Sequence, residues 1–295
     1  MKDNYSNIRF DRSKRPTIDF DIVSLEEIIK REDLNHDPKS LHRVHFYVLI
    51  FITSGSGKHT IDFKEYEYAK GSVLTIRKNQ IHNFHNATAD GFMLLFTEEF
   101  VLSYLEKTGA NIISELFNEL LFGQHTKLDK HEQEQVLTLV MQIQNEFKNS
   151  IDDQTPGIVR NLLQVLIRKI YRIRRTSPQL TLTHKYTLKF LEFQRLVELH
   201  CHEFRSVKYY AGRLNITTKT LNTITRQVAN KTGKKFIDDI SLLNIKRLLI
   251  NTDLSVKEIA YSSGFNETTN FFKFFKRNTY LTPESFRNSH KKLLV

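Results

Sequence analysis

The sequence contains a single cysteine, Cys201, and lacks any long apolar run. One cysteine cannot build an internal disulfide framework, and this scarcity is typical of a reducing compartment. A transmembrane helix needs about eighteen or more consecutive apolar residues, so none is expected. The N-terminal stretch MKDNYSNIRFDRSKRP is polar and has no apolar segment of the kind that a secretory signal requires. We therefore expect a cytoplasmic protein that makes no contact with membranes.

Apolar and aromatic residues are plentiful by contrast. Of the 295 residues, 40% are hydrophobic, and 22 Phe and 11 Tyr are among them. This composition is typical of a globular protein and excludes a disordered chain. The length is sufficient for two domains of ordinary size, each with its own core.

The net charge of +11 is unevenly distributed along the chain. Residues 184–295 hold 20 Lys and Arg against 9 Asp and Glu, whereas residues 1–183 hold 24 of each kind. The whole positive excess therefore belongs to the C-terminal part. A basic segment joined to a neutral one indicates a polyanionic partner for one domain only, although a merely soluble basic surface would give the same count.

The N-terminal part has the pattern of a β-domain. Short runs rich in β-branched and aromatic residues are separated by Gly-rich or polar turns, as in small barrels and sandwiches. The predicted strands span His42–Ile52, His59–Phe63, Gly71–Ile76, Ile81–Asn86 and Gly91–Phe96.

Helical periodicity follows the predicted strands. Apolar residues recur at helical spacing over 130–148 and again over 158–171, which predicts two amphipathic helices. A basic, turn-forming stretch follows them, and we predict a linker at 176–183. We therefore assign residues 1–175 to a first domain and residues 184–295 to an entirely helical second domain.

Two segments of the second domain, 207–228 and 256–277, share one pattern. In each, a small residue is followed four positions later by a residue that tolerates a left-handed backbone, and then by an apolar residue. The matched pairs are Ala211 with Ala260, Asn215 with Gly264, and Ile216 with Phe265. A capping segment and apolar residues at helical spacing come next, with one extra residue in the second copy. The pattern predicts two helix-turn-helix units.

A long helix, Ile237–Ile250, is predicted between the two units. If this helix is rigid, the two recognition helices enter successive major grooves on one face of the duplex, about 34 Å apart.

Residues 255–287 resemble the second helix-turn-helix unit and the C-terminal signature of the AraC/XylS regulators. The matching residues are Ile259, Ala260, Gly264, Phe265, Asn266, Phe271, Phe275, Lys276, Thr282, Pro283, Phe286 and Arg287. The segment 234–249 resembles the connecting helix of the family, except that Lys234 and Lys235 stand where Ser or Thr and Pro are common. The resemblance covers about 184–295 and implies a DNA-binding domain.

The recognition helices offer candidate DNA contacts at the positions that do not face the core. We expect Asn222 and Asn270 to pair with adenine, Arg226 to reach guanine or a phosphate, and threonines at the helix N-termini to contact phosphates. The full candidate set is Thr217, Thr218, Lys219, Asn222, Thr223, Arg226, Glu267, Thr268, Thr269, Asn270, Lys273, Lys276 and Arg277. For any one of them, a solvated helix face is the alternative.

The segment 42–86 resembles the cupin-like domain that is often fused to such a DNA-binding domain. Gly71, His82 and Asn86 have the spacing of the second cupin motif, while Arg77 and Asn79 replace its Pro and second Gly. The first motif is reduced to His42 and His45, and no Glu follows. These departures favour a domain without metal or other cofactor, although His42, His45 and His82 would supply three imidazoles if they met in space.

Strand alternation places His45, Tyr47, Leu49 and Phe51 on one face of the first predicted strand. If that face points inward, the candidate effector contacts are His45, Tyr47, His59, His82 and Phe84, and core packing is the alternative for each. The predicted helices at 130–148 and 158–171 have broad apolar faces. In the family this region forms a dimer interface, so the resemblance implies a homodimer, and simple coverage of the barrel is the alternative.

These patterns together predict an α+β protein of two domains. An N-terminal cupin-like β-barrel with flanking helices precedes a C-terminal all-α domain with two helix-turn-helix units. The expected function is that of a sequence-specific transcription regulator, not an enzyme, with double-stranded promoter DNA, a small effector and RNA polymerase as partners. The alternatives are a cupin-type metalloenzyme with an accessory basic domain and a non-specific architectural DNA protein.

Overall fold

A computed structural model describes residues 7–11, 18–30, 39–85, 88–103, 107–149, 152–175 and 184–291. The chain divides into two compact units between Leu180 and Thr181. The predicted linker, 176–183, lies outside the described residues. Within the described residues, no helix is both long enough and apolar enough to cross a membrane.

The first unit is built around two five-stranded sheets. The strands are β1 (Asn7–Ile8), β2 (Phe20–Ser24), β3 (His42–Val44), β4 (Tyr47–Ser54), β5 (Ser56–Ile61), β6 (Lys64–Ala69), β7 (Ser72–Ile76), β8 (Ile81–Phe84), β9 (Asp90–Phe96) and β10 (His125–Lys127). One sheet has the order β1-β3-β8-β5-β6 and the other β10-β7-β4-β9-β2. The predicted β-rich domain is confirmed, but in the described residues the strands form two sheets and not one closed barrel.

Strand β4 explains why the sheets enclose a core and also carry helices. It is buried on both faces, since alternate side chains point in opposite directions along a strand. Val48, Ile50 and Ile52 pack in the core between the two sheets. Tyr47 and Phe51 pack in a second core that includes the helices of this unit. The face with Tyr47 therefore points away from the space between the sheets, contrary to the inward orientation considered from the sequence.

Two other expectations for the strands need correction. The predicted strand His42–Ile52 is divided into β3 and β4, because the chain bends at His45 and Phe46, and His45 therefore belongs to neither strand. The polar stretch between the predicted strands His59–Phe63 and Gly71–Ile76 is expected to be a turn, but it forms β6. This strand pairs with β5 along its whole length, at the edge of its sheet. Its side chains alternate between solvent and sheet, so its polarity reflects one exposed face.

Helices cover the outer face of the second sheet. The helices of the first unit are α1 (Leu25–Lys30), α2 (Glu98–Leu102), α3 (Lys107–Leu116), α4 (Lys130–Asn149) and α5 (Thr155–Arg175). The last two confirm the predicted helices at 130–148 and 158–171. Val140 and Ile143 of α4 and Leu163 and Leu166 of α5 are fully buried in the core they share with the sheet.

The second unit is entirely helical in its described residues, as predicted. Its helices are α6 (His184–His200), α7 (Val207–Arg213), α8 (Thr218–Ala229), α9 (Gly233–Asn251), α10 (Val256–Ser262), α11 (Thr268–Thr279) and α12 (Pro283–Lys291). Helix α9 is the predicted connecting helix, and α7–α8 and α10–α11 are the two predicted helix-turn-helix units. Aromatic rings form much of the core, with Phe193 against both Tyr210 and Phe236.

Candidate nucleic-acid interface

The two helix-turn-helix turns have the same backbone geometry. Asn215 has φ 54° and Gly264 has φ 79°, which confirms that the turn needs a left-handed residue at this position. In each unit the next residue donates its backbone N–H to the buried alanine five positions earlier. The distances are 3.0 Å from Ile216 to Ala211 and 3.1 Å from Phe265 to Ala260. The sequence match therefore corresponds to a repeated three-dimensional turn.

The recognition helices α8 and α11 are anchored through equivalent apolar faces. Leu221, Ile224 and Val228 are buried on α8, and Phe271, Phe274 and Phe275 are buried on α11. Both helices end at a residue in the left-handed conformation, Asn230 after α8 and Tyr280 after α11. Because these faces are fixed in the core, the opposite faces of α8 and α11 are presented to the exterior.

Most of the candidate DNA-contacting residues lie on these outward faces. The exposed ones are Thr217, Thr218, Lys219, Thr223, Arg226, Glu267, Thr269, Asn270, Lys273, Lys276 and Arg277, while Asn222 and Thr268 are half-buried. Each helix thus brings together an exposed set of hydroxyl, amide and cationic groups. Thr220 and Gln227 of α8 are also exposed and were not among the candidates. The helical spacing of the three buried residues would have revealed them.

Asn222 differs from Asn270 in the way the protein uses its amide. The Asn222 side-chain Nδ2 donates to the carbonyl of Thr218 at 3.0 Å, and its Oδ1 accepts the backbone N–H of Gly233 at 2.8 Å. Gly233 begins α9, so Asn222 satisfies a free N–H at the start of the connecting helix. Among the described residues, the Asn270 side chain makes one hydrogen bond, which it donates to the exposed carboxylate of Glu267 at 3.3 Å. Asn270 is therefore the better suited of the two to pair with a base.

Salt bridges neutralise the cations near the start of α9 but not those on the recognition helices. Asp238 pairs with Arg205 and Lys234, and Asp239 pairs with Lys231 and Lys235, at 2.6–3.0 Å. Within the part of the chain that the structure describes, no carboxylate pairs with the cations of α8 and α11. These cations are Lys219, Arg226, Lys273, Lys276 and Arg277. Their charges remain available to a polyanion.

In the first unit, three of the candidate effector contacts come together on the inner face of the first sheet. The ring of His59 lies 5.1 Å from that of His82 and 4.4 Å from that of Phe84, measured between centroids. His42 joins them, with its ring centroid 4.1 Å from that of His82. The two remaining candidates lie elsewhere. His45 is exposed, and Tyr47 packs against Phe96 and Phe117 on the side of the helices.

Burial keeps this histidine cluster uncharged at His59. The pKa of His59 is lowered to about 3, mainly because burial desolvates the ring and in smaller part because His42 and His85 lie nearby. Both ring nitrogens of His59 are buried and find no hydrogen-bond partner among the described residues. The same residues contain no group of three or more His, Cys, Asp or Glu placed to hold a metal ion. Asn86, the last residue of the cupin-like motif, lies outside the described residues.

Two family profiles match the two units separately. Residues 27–153 match the AraC-like ligand binding domain, and residues 210–289 match a helix-turn-helix domain. The chain belongs to the AraC/XylS family.

Relatives within the AraC/XylS family match over most of their length. The transcriptional activator RhaS of Citrobacter koseri is 21% identical over 256 residues, which cover 86% of this chain and 89% of the relative. RhaS of Yersinia pestis is 24% identical over 256 residues, which cover 84% of this chain and 88% of the relative. Among solved structures, ToxT from Vibrio cholerae O395 covers 94% of this chain and 98% of its own, at 13% identity and a TM-score of 0.44.

Membership of the AraC/XylS family gives each candidate site a place. The α8 and α11 faces belong to the helix-turn-helix domain, and the histidine cluster belongs to the ligand-binding domain. The protein is therefore a transcriptional regulator with a DNA-binding domain and a domain of the effector-binding type.

Proposed function

We propose that this protein binds promoter DNA in a sequence-specific way, with α8 and α11 in successive major grooves. The observation that carries the proposal is the pair of equivalently built turns, each followed by a helix whose outward face has exposed amides or hydroxyls and cations that no carboxylate of the described residues pairs with. Cations without carboxylate partners attract phosphates, and exposed amides and guanidinium groups read base edges. A solvated basic surface would not require two repeated turns of the same geometry.

The unequal charge of the helical unit and the sheet unit supports different roles for the two. The basic unit contacts DNA, while the neutral unit senses an effector and joins two copies of the chain. Leu137 and Met141 of α4 and Ile158 and Val165 of α5 are large apolar side chains left exposed. A homodimer formed through these helices would cover them and double the contact with DNA. RNA polymerase is the remaining partner that we propose for the DNA-bound dimer.

The effector in this proposal is a small molecule that binds beside the His59 cluster. His59 and Phe84 supply a neutral polar group and an aromatic surface on the inner face of the sheet. The rival proposal, a cupin-type metalloenzyme, also depends on these imidazoles. The rival requires a metal in the purified protein and a carboxylate ligand, which the first cupin motif of this sequence lacks. Metal analysis of the full chain separates the two.

Selection from a random oligonucleotide library with the full chain tests the main proposal. We expect enrichment of one bipartite sequence, whose binding weakens steeply with salt because phosphate contacts release counterions. Arg226→Ala is expected to cost about 1–3 kcal/mol on the selected site and to relax specificity there. Equal losses on selected and random DNA would contradict base reading by Arg226. Failure to enrich any sequence would favour a non-specific architectural protein.

A further inference from the structure

The loop that leads into the first helix-turn-helix unit also contacts the second. Residues 201–206 lie between α6 and α7. A Cβ added at Gly264, in the turn of the second unit, would lie only 2.2 Å from the carbonyl oxygen of His202. The loop backbone therefore lies directly against that turn. This contact lies within the helical unit and is separate from the covalent link that α9 provides.

Arg205 is the side chain that extends this contact into the core of the second helix-turn-helix unit. Its guanidinium carbon lies 4.3 Å from the ring centroid of Phe265, in the turn, and 4.3 Å from that of Phe274, on α11. An Nη atom of the same guanidinium lies 3.0 Å from the carboxylate of Asp238 on α9. One side chain thus links the loop before the first helix-turn-helix unit to the turn and the recognition helix of the second helix-turn-helix unit. The same side chain also contacts the connecting helix α9.

The surroundings of Arg205 indicate that its side chain orients the neighbouring elements more than it stabilises the fold. Its side chain is only 18% exposed and that of Asp238 only 12%, and Arg205 Nε is buried without a hydrogen-bond partner among the described residues. A buried pair recovers its desolvation cost only in part, so an apolar residue of similar size would stabilise the fold about as well. A planar guanidinium, however, contacts two ring faces and a carboxylate in one fixed arrangement.

We propose that Arg205 is a positioning residue that fixes the two recognition helices relative to each other and thereby sets the spacing of the two half-sites. The spacing part of this inference rests on the proposed function, and the helix-positioning part does not. A single connecting helix still lets the two helix-turn-helix units bend and rotate relative to each other. A second link, through Arg205, restricts those motions. Each base pair moves a half-site by about 3.4 Å and turns it by about 34°, so a small rotation suffices to change spacing.

The first experiment measures the separation of α8 and α11 without DNA. Spin labels are placed on the full chain at Gln227→Cys and Lys273→Cys, two exposed positions on α8 and α11. Native Cys201 is 2% exposed and burial raises the pKa of its thiol, so it does not compete for the label. We expect Arg205→Met to broaden the distance distribution measured by double electron–electron resonance. An unchanged width in a cooperatively folded variant would overturn the proposal.

The matched control is Arg195→Met, which removes the same charge from an exposed position of α6. Its distance distribution is expected to equal that of the wild type. Lys234 lies 2.9 Å from Asp238, so Arg205→Met does not leave that carboxylate unpaired. If Arg205→Met does not melt cooperatively, Arg205→Lys replaces it, because lysine keeps the charge without the planar group. Broadening with Arg205→Lys supports the proposal, and an unchanged width overturns it.

The second experiment measures binding to the selected site and to versions with one base pair inserted between its halves. The wild type and Arg195→Met are expected to lose about tenfold or more in affinity on insertion, and Arg205→Met about threefold or less. Equal penalties in all three proteins would overturn the spacing part. If the wild type selects no bipartite site, the proposed function fails, and the label distances still decide the role of Arg205.

Discussion

The two helix-turn-helix units have the same turn but are stabilised in different ways. The first uses side-chain hydrogen bonds: Thr217 caps α8, and Asn222 accepts a bond from the start of α9. In the second, the turn and recognition helix use close contacts and aromatic rings, with Gly264 against a loop carbonyl and the ring centroid of Phe265 5.3 Å from that of Phe271, and the side-chain cap lies on α10, where Ser255 and Glu258 form a capping box. A repeated backbone therefore does not imply repeated energetics, and equivalent substitutions in the two units should have different effects.

The largest difference is expected at the turn itself. Gly264→Ala would place a methyl group against the carbonyl of His202 and force an L-residue into the left-handed region. Together these costs should lower the free energy of unfolding by about 3 kcal/mol or more. Asn215→Ala places alanine in a similar conformation at an exposed position and should cost about 1 kcal/mol. Urea denaturation of both variants measures the difference, and equal losses would contradict it.

The two asparagines on the recognition helices should separate stability from recognition. Asn222→Ala removes the acceptor for the Gly233 N–H and should lower the free energy of unfolding by about 1–2 kcal/mol. Asn270→Ala should change stability by less than about 0.5 kcal/mol. It should nevertheless weaken binding to the selected site by about 1–3 kcal/mol. Denaturation and DNA titration of both variants check this contrast, which would fail if Asn222→Ala altered only binding.

The N-caps of the recognition helices provide a smaller contrast. Thr217 accepts the backbone N–H of Thr220 at 3.0 Å, so Thr217→Ala should cost about 1 kcal/mol of stability. Glu267 makes no side-chain cap bond, and Glu267→Ala should leave stability nearly unchanged. Removing its negative charge should instead tighten binding to random DNA at low salt. Melting curves together with a salt titration test the pair, and a large destabilisation by Glu267→Ala would be the contrary result.

The smallest effects are expected where the recognition helices end. Tyr280 has φ 62° and is 88% exposed, so its ring offsets little of the cost of a left-handed backbone. Tyr280→Gly should therefore raise the free energy of unfolding by about 1 kcal/mol. Asn230, at φ 51°, already tolerates this conformation, and Asn230→Gly should change stability by less than about 0.5 kcal/mol. Calorimetry compares the two, and destabilisation by Tyr280→Gly would indicate that the ring makes a contact that the fold requires.

Local rules predicted much of the helical unit from the sequence. The left-handed positions of Asn215 and Gly264 follow from residue type, and the buried faces of α8 and α11 follow from helical spacing. The link from Asn222 to Gly233 escaped prediction because it joins residues eleven positions apart in different helices. The contacts of Arg205 with Phe265 and Phe274 span still greater distances along the chain, and no periodicity encodes them.

The sheet unit was harder to predict because its pairings are almost all non-local. Alternation in β4 correctly separates Tyr47 and Phe51 from Val48 and Ile50, but both sets are buried. Alternation therefore cannot tell which set faces the opposite sheet and which faces the helices. The bend at His45 and Phe46 is likewise invisible in a run of β-branched and aromatic residues, so the pattern predicts one strand and cannot show that His45 lies between β3 and β4.

Because the two helix-turn-helix units differ, the protein would also have a defined orientation when it is bound to DNA. Two different recognition helices in one chain cannot form a surface with two-fold symmetry, so the sequence that one chain reads should not be a palindrome. Reversing the site would bring each helix to the other's bases. On the proposed function, a single protomer would therefore distinguish one side of its site from the other and bind the duplex in one orientation.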